Sequence, residues 1–450
     1  MFRDRFHHAV AATALSMAAG ALPLLAQELP PPPASSAQEL ANQKKIEELE
    51  RRLAVLAEEL QALRAGEKAE EAPTPTPNEP PPEGATGLAP AAAKVYSKNR
   101  GVSIGGYGEM LYENYDGTRD DGAASGVKDQ VDLLRAVLYF GYKFNDRIVF
   151  NSEIEYEHAT TKDGKGEVSA EFAYLDFLFK DYVNVRAGLV LVPVGIVNEI
   201  HEPPTYLGAK RPGVESAIIP TTWREPGVGV HGEIGLFSYQ AYLFDGLDCR
   251  GFTASSGLRN GRQSGAKASA EDLAVALRLD LTGIPGLLAG LSFYRGDSGQ
   301  GRSVDGQTID GTVTLYDMHA DWKWRGLWLR GVWSSVDIGD ADLISVQNGQ
   351  AIGSELRGWY GEAGYDLLSL TNARNQSLYP YVRYERYDTQ AEVAPGYESS
   401  VTGANDRTAT SYGVLYRPIP QIAVKAEYQD LKNEAGTGVD QFNASLGYLF

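Results

Sequence analysis

The chain has 450 residues, with 59 Asp and Glu against 41 Lys and Arg, and its formal charge of −18 excludes a binder of nucleic acid or of anionic surfaces. A single cysteine, Cys249, excludes an internal disulfide framework. Tyrosine (25) and glycine (49) are plentiful while methionine (4) is scarce, a mix that suits many strands joined by turns and flexible loops.

The first 26 residues carry Arg3 and Arg5, the apolar run AVAATALSMAAGALPLLA and a small residue at Ala26. That pattern predicts a secretory signal peptide, and Gly20 and Pro23 break the run too early for a membrane anchor. No later segment approaches eighteen uninterrupted apolar residues, so no transmembrane helix is expected. Ile46, Leu49, Leu53, Leu56, Leu60 and Leu63 then alternate spacings of 3 and 4, the seam of a coiled coil over 37–65. A helix this short gains most stability by self-association, so an oligomer is expected; a lone amphipathic helix packed on a domain is the competing reading. Residues 66–100, with APTPTPNEPPPEGATGLAP at 72–90, read as an extended Pro-rich linker.

From 101 to 450 short two-faced strands recur. The last, FNASLGYLF, places Phe442, Ala444, Leu446, Tyr448 and Phe450 on one face and Asn443, Ser445 and Gly447 on the other. Sixteen such segments run from 102–112 to 442–450, and their connectors alternate between short turns (LFS, TGIPG, RG, PIP) and long Gly/Asp-rich loops. Aromatic residues such as Tyr139, Phe140, Trp322 and Trp324 gather at strand ends. These features predict an all-β protein, a sixteen-stranded antiparallel transmembrane β-barrel with a short N-terminal α-helical coiled coil. An even strand count puts both barrel ends on the periplasmic rim, and sixteen strands leave an aqueous channel.

With the apolar face toward lipid, the other face lines that channel. Arg135, Arg186, Arg278, Arg330 and Arg383 recur on separate strands as a candidate guanidinium track for anions, opposed by Asn151, Glu153, Glu155 and Glu157 on one strand. Any one of these side chains could instead serve a hydrogen-bonded wall network. The longest connector, Pro193 to Pro226, holds Ile196, Val197, Ile200, Tyr206, Ile218, Ile219 and Trp223 with six prolines, and is expected to fold inward onto the wall and narrow the pore. Its NEIHEPPTY stretch makes Glu199, His201 and Glu202 candidate filter charges.

The segments GGYGEM, LVPVGIVNEIHEPPTY and IIPTTWREPGVG, the third-loop position and the N-terminal seam resemble sixteen-stranded trimeric porins of the phosphate-selective O and P type over about residues 101–450. The resemblance implies a homotrimer in the outer membrane of a Gram-negative bacterium, passive diffusion of small solutes and a constricting third loop. It also implies preference for anions such as phosphate, for which Arg135, Lys210, Arg211 and Arg224 are candidates; dicarboxylate channels with a periplasmic coiled coil are similar. No cofactor is expected, and the partners would be membrane lipid, anionic or polar solutes and, through the coiled coil, the cell wall.

Other chemistry is thinly supported. His158, His201, His231 and His319 fall in no triad or HExxH spacing, which argues against a hydrolase or a zinc site. A non-conducting anchor tied to the wall is the structural alternative. The repeated Asp-Gly pairs read as turns, with weak calcium binding as a minor alternative.

Overall fold

The computed structural model describes residues 88–450 apart from 372 and 374. The signal peptide, the helix read at 37–65 and most of the linker lie outside the described residues.

All sixteen alternating segments are strands: β1 (Gly101–Tyr115), β2 (Gln130–Asn145), β3 (Ile148–Glu157), β4 (Val168–Lys180), β5 (Val183–Leu191), β6 (Arg224–Ile234), β7 (Phe237–Asp245), β8 (Leu273–Ile284), β9 (Leu287–Gly296), β10 (Val313–Trp324), β11 (Leu327–Ile338), β12 (Gly353–Tyr365), β13 (Ser377–Val393), β14 (Asp406–Arg417), β15 (Ile422–Asn433) and β16 (Gln441–Leu449). Each pairs antiparallel with its neighbours, and β1 pairs with β16 from Tyr107↔Leu449 to Tyr115↔Gln441, closing the barrel. Closure leaves no sheet edge, so every strand finds backbone partners on both sides.

The usual sidedness of a folded protein is inverted. Along β8, Leu273, Val275, Leu277 and Leu279 are exposed while Arg278 and Asp280 are buried. The same holds around the wall, with Phe140, Met318, Trp333, Trp359 and Tyr412 outside and Glu153, Arg330, Arg383 and Lys425 inside. Such an exterior is stable against hydrocarbon rather than water, and the strand length suits a membrane span.

One rim carries short turns. Three of them need glycine, with Gly235, Gly286 and Gly326 at φ of +64, +77 and +86°. The other rim carries the long loops, which hold two elements not foreseen from sequence: a small hairpin pairing Ser303–Val304 with Gln307–Thr308, and a helix over Ala341–Asn348. Asn348 donates to the Cys249 and Phe252 carbonyls, and Cys249 is a fully buried free thiol. The stretch read as linker is described from Leu88 onward, and there it is packed inside the barrel: Leu88, Ala89, Ala91, Ala92 and Val95 are buried, with a 3-10 turn over Ala92–Val95.

The inverted sidedness makes a prediction. Leu277→Lys, on the outer face midway along β8, should destabilise the barrel by about 2–4 kcal/mol in vesicle unfolding experiments. A change below about 0.5 kcal/mol would contradict a lipid-facing position.

Candidate functional site: a loop seated in the barrel lumen

The longest connector, between β5 and β6, lies inside the barrel. From Val192 to Ala209 every residue is buried, and Val214, Ile218, Ile219 and Trp223 have no measurable exposure. A backbone placed there loses its water and must find protein partners instead. Part of the replacement is internal: Asn198 donates to the Val192 and Trp223 carbonyls and accepts from the Trp223 amide, clamping the loop's two ends together.

The wall supplies the rest. Arg278 of β8 donates to the Gly195 carbonyl, Arg330 of β11 to Thr205 at 2.7 Å, Lys425 of β15 to Gly208 at 2.7 Å and Arg383 of β13 to Lys210 at 3.3 Å. Carboxylates take the amides: Asp317 of β10 accepts from Gly195 and Glu385 of β13 from Val214. The loop's own Glu215 accepts from Ile196 and Val197 and from the Tyr360 hydroxyl of β12. Pro203 packs on β16 at Gly447, where a Cβ would lie 2.3 Å from Pro203 Cβ, so only glycine fits there.

The residues singled out from sequence divide into three groups. Arg135, Arg186, Arg330 and Arg383 are each neutralised by wall carboxylates, as is Arg278. Arg135 meets Glu109 and Glu155 at 3.4 Å, and Arg186 meets Asp176 at 2.9 Å. Arg330 pairs with Asp321 and lies 3.9 Å from Glu362; Arg383 lies 3.2–3.7 Å from Glu385, Glu427 and Glu362. Arg278 lies 3.1 Å from Glu199 and 2.7 Å from Asp280. Arg224 is likewise held by Glu171 at 2.9 Å, and Lys210 by Glu113 at 2.6 Å.

The NEIHEPPTY charges are buried anchors. Glu199 accepts from Gln240 at 2.8 Å. His201 donates through Nδ1 to the Asn198 carbonyl at 3.1 Å and sets Nε2 3.2 Å from Glu153, which also accepts from Tyr107. Glu202 accepts from the Ala91 and Ala92 amides at 2.9 and 3.2 Å. Among the described residues no group of three or more His, Cys, Asp or Glu side chains is arranged to hold a metal ion. The hydrogen bonds of the four histidines go to carboxylates, to Arg278 and to a carbonyl, with no nucleophilic hydroxyl or thiol among them.

The third group is cationic and forms no direct ion pair among the described residues. Arg211 donates to the His201 carbonyl at 3.3 Å, and its buried Nε has no partner among the described residues. Two arginines that the sequence reading did not single out stand with it. Arg259 donates to the Ser216 and Thr221 carbonyls, and Arg262 to those of Pro220 and Thr222 at 3.2 and 2.8 Å. Burial, reinforced by Arg262 and Arg211, brings the Arg259 guanidinium down to about 10, still charged at neutral pH. Both arginines sit in the long loop between β7 and β8, in Gly/Ser-rich sequence without periodicity to mark them. On the short-turn side the seated loop bounds a cavity of about 620 Å³, lined by Pro90, Ile200, Pro204, Arg278, Asp280 and Arg417 among others.

No protein-family model matches the chain. An uncharacterised protein of Aquifex aeolicus is 38% identical over 379 residues, covering 81% of this chain and 83% of that protein. Among solved structures, an anion-selective porin from Comamonas acidovorans aligns at 12% identity over 78% of this chain and 100% of its own, with a TM-score of 0.51. The outer membrane channel DcaP of Acinetobacter baumannii (15% identity, 78% and 97% covered, TM-score 0.48) and OmpT of Vibrio cholerae (12%, 79% and 98%, 0.48) are also similar. The Comamonas structure supports the barrel architecture.

The grip of the wall on the loop can be measured. Arg330→Ala removes the buried cation paired with Asp321 and the hydrogen bond to the Thr205 carbonyl, and should cost about 3–5 kcal/mol in denaturant unfolding. Arg250→Ala, which removes only an exposed partner of Asp248, should cost far less. Equal effects would mean that the buried pairs do not hold the loop.

Proposed function

The chain belongs to one family with the Aquifex aeolicus protein, and we propose that it works as an outer-membrane porin for small hydrophilic solutes, with the loop over 192–223 as its constriction. The observation that carries this reading is the seated loop itself. A closed sixteen-strand barrel has an interior wide enough for water, and here one connector occupies it among buried charges of the wall. The preferred solutes are anions, of the class of phosphate or small dicarboxylates. Support comes from Arg211, Arg259 and Arg262, guanidiniums whose hydrogen bonds go to backbone carbonyls and which form no direct ion pair with a carboxylate among the described residues. A planar guanidinium with donors to spare suits phosphate and carboxylate alike.

In this reading Arg278, Arg330 and Arg383 of the five wall arginines first considered as a track hold the loop. Arg135 and Arg186 pair with wall carboxylates, and selectivity rests on the three arginines outside any direct ion pair. The N-terminal segment begins beside the short-turn rim, since Pro90 lines the same cavity as Gly235, Pro285 and Pro420. That rim is then periplasmic, the helix at 37–65 lies in the periplasm, and it trimerises the barrel and reaches toward the cell wall. A non-conducting anchor is the second reading, favoured by the loop's bonds to strands around so much of the wall.

The reversal potential of purified protein in a planar bilayer under a KCl gradient should show anion preference. Arg211→Gln, Arg259→Gln and Arg262→Gln together should move it toward cations. Cation preference in the parent protein would overturn the anion assignment, and absence of any current would establish the anchor. Deleting 198–206 should raise unit conductance; an unchanged value would refute the constriction.

A further inference from the structure

Residues 88–96 occupy the lumen beside the loop, and the porin reading leaves them without a role. The 3-10 turn over Ala92–Val95 lies against β1, β2 and β3. Leu88, Ala89, Ala91, Ala92 and Val95 are each no more than 3% exposed. Two wall glycines make room for the segment: a Cβ on Gly141 would sit 2.7 Å from Val95 Cγ2, and one on Gly105 would sit 3.1 Å from the Ala91 carbonyl. The wall is therefore shaped around it.

The surface beneath the segment sets polar partners beside an apolar cluster in which Leu88, Ala91 and Ala92 join Tyr139, Phe172 and Tyr174. Asn151 donates to the Ala92 carbonyl at 2.9 Å and Lys143 to the Tyr96 carbonyl at 3.1 Å. The Tyr96 hydroxyl donates to Asp176 at 2.7 Å, the carboxylate that also holds Arg186 and His231. On the other side Glu202 of the constriction loop turns both oxygens to the Ala91 and Ala92 amides. The segment is thus a small-residue peptide wedged between the loop and a track of charged and amide side chains.

We infer that residues 88–96 form a withdrawable latch on the periplasmic side of the pore. Seated, the segment satisfies Glu202, Asn151 and Asp176 and fills the space between loop and wall. Drawn out by tension on the chain that precedes it, the segment leaves those groups facing an empty track. A track lined by a carboxylate, an amide and an Asp–Arg pair fills with water rather than collapsing, so withdrawal opens a hydrated path. The inference rests on the porin reading for the meaning of that path; the seating of the segment stands independently of it.

The test uses the full chain with Cys249→Ala and Val95→Cys, labelled in bilayer vesicles by a membrane-impermeant maleimide. The thiol introduced at position 95 should react at least about tenfold slower than in the denatured chain, and Glu202→Gln, which replaces one accepting oxygen by an NH2 donor, should restore about tenfold of that rate. A truncated chain starting at Ser97, and the complete Glu202→Gln chain should the truncation not fold, should both show higher unit conductance than the parent. Labelling at position 95 as fast as in the denatured chain overturns the latch while leaving the porin reading standing. A protected thiol with no current from parent, truncation or Glu202→Gln overturns the gating role together with the porin reading. A protected thiol with equal conductance in all three overturns the gating role alone.

Discussion

The structure turns on a desolvated backbone. Residues 192–223 lie in the lumen, where their amides and carbonyls have no bulk water, and every buried peptide group left unpaired would cost about a kilocalorie per mole or more. Long cationic side chains solve the carbonyl half of that problem. Arg278, Arg330, Arg383 and Lys425 reach inward from four strands and each donates to a loop carbonyl. A cation carried into that interior needs a counter-charge, and the neighbouring carboxylates provide it. Asp280, Asp321, Glu362, Glu385 and Glu427 therefore follow from the loop as much as from the pore.

The acidic balance of the chain has a similar origin. Carboxylates take amides as well as neutralising arginines: Asp317 at Gly195, Glu215 at Ile196 and Val197, Glu385 at Val214 and Glu202 at Ala91 and Ala92. A negative net charge is thus compatible with an anion path, because much of the acid is consumed inside the protein. Under the proposed function, the selecting arginines on the long-loop side are Arg211, Arg259 and Arg262, which form no direct ion pair among the described residues. Their hydrogen bonds go to neutral carbonyls, which do not cancel the positive charge as a direct carboxylate partner would.

The strands were legible because the two solvents of the barrel impose a period of two. Lipid outside demands apolar residues and the lumen tolerates charge, so β8 alternates Leu and Val against Arg and Asp with little ambiguity. Turn and loop lengths gave the rims, and the apolar content of 193–226 pointed inward. Contacts were not legible. Arg330 meets the Thr205 carbonyl across 125 positions, and no periodicity signals a bond to a backbone atom. The same limit made five paired arginines look like a track, and made two arginines in a Gly/Ser loop look ordinary. Leu88–Val95 read as linker because Ala and Pro next to a Pro-rich run look extended; the fit into glycine-lined space depends on Gly105 and Gly141, which are remote in the chain or unmarked within a strand.

Two objects therefore occupy the lumen, and they differ in how they are held. The loop is tied covalently to β5 at one end and β6 at the other, clamped at its neck by Asn198 and gripped by four cations. Segment 88–96 runs into the barrel through β1, and side chains of the wall hold it: Asn151 and Lys143 donate to its carbonyls, and Asp176, Tyr174 and Arg186 meet the Tyr96 hydroxyl. Its apolar side chains are mostly alanine, so each contributes little burial. Local opening follows the weakest cooperative unit, which here is the segment and not the loop. Glu202 is the point where the two meet, since it belongs to the loop and accepts from the segment's amides. Loss of the segment would leave that carboxylate without its amide donors, so the loop around Glu202 would have to move toward water. Occupation of the lumen is in this sense ordered: the barrel holds the loop, and the loop holds the segment.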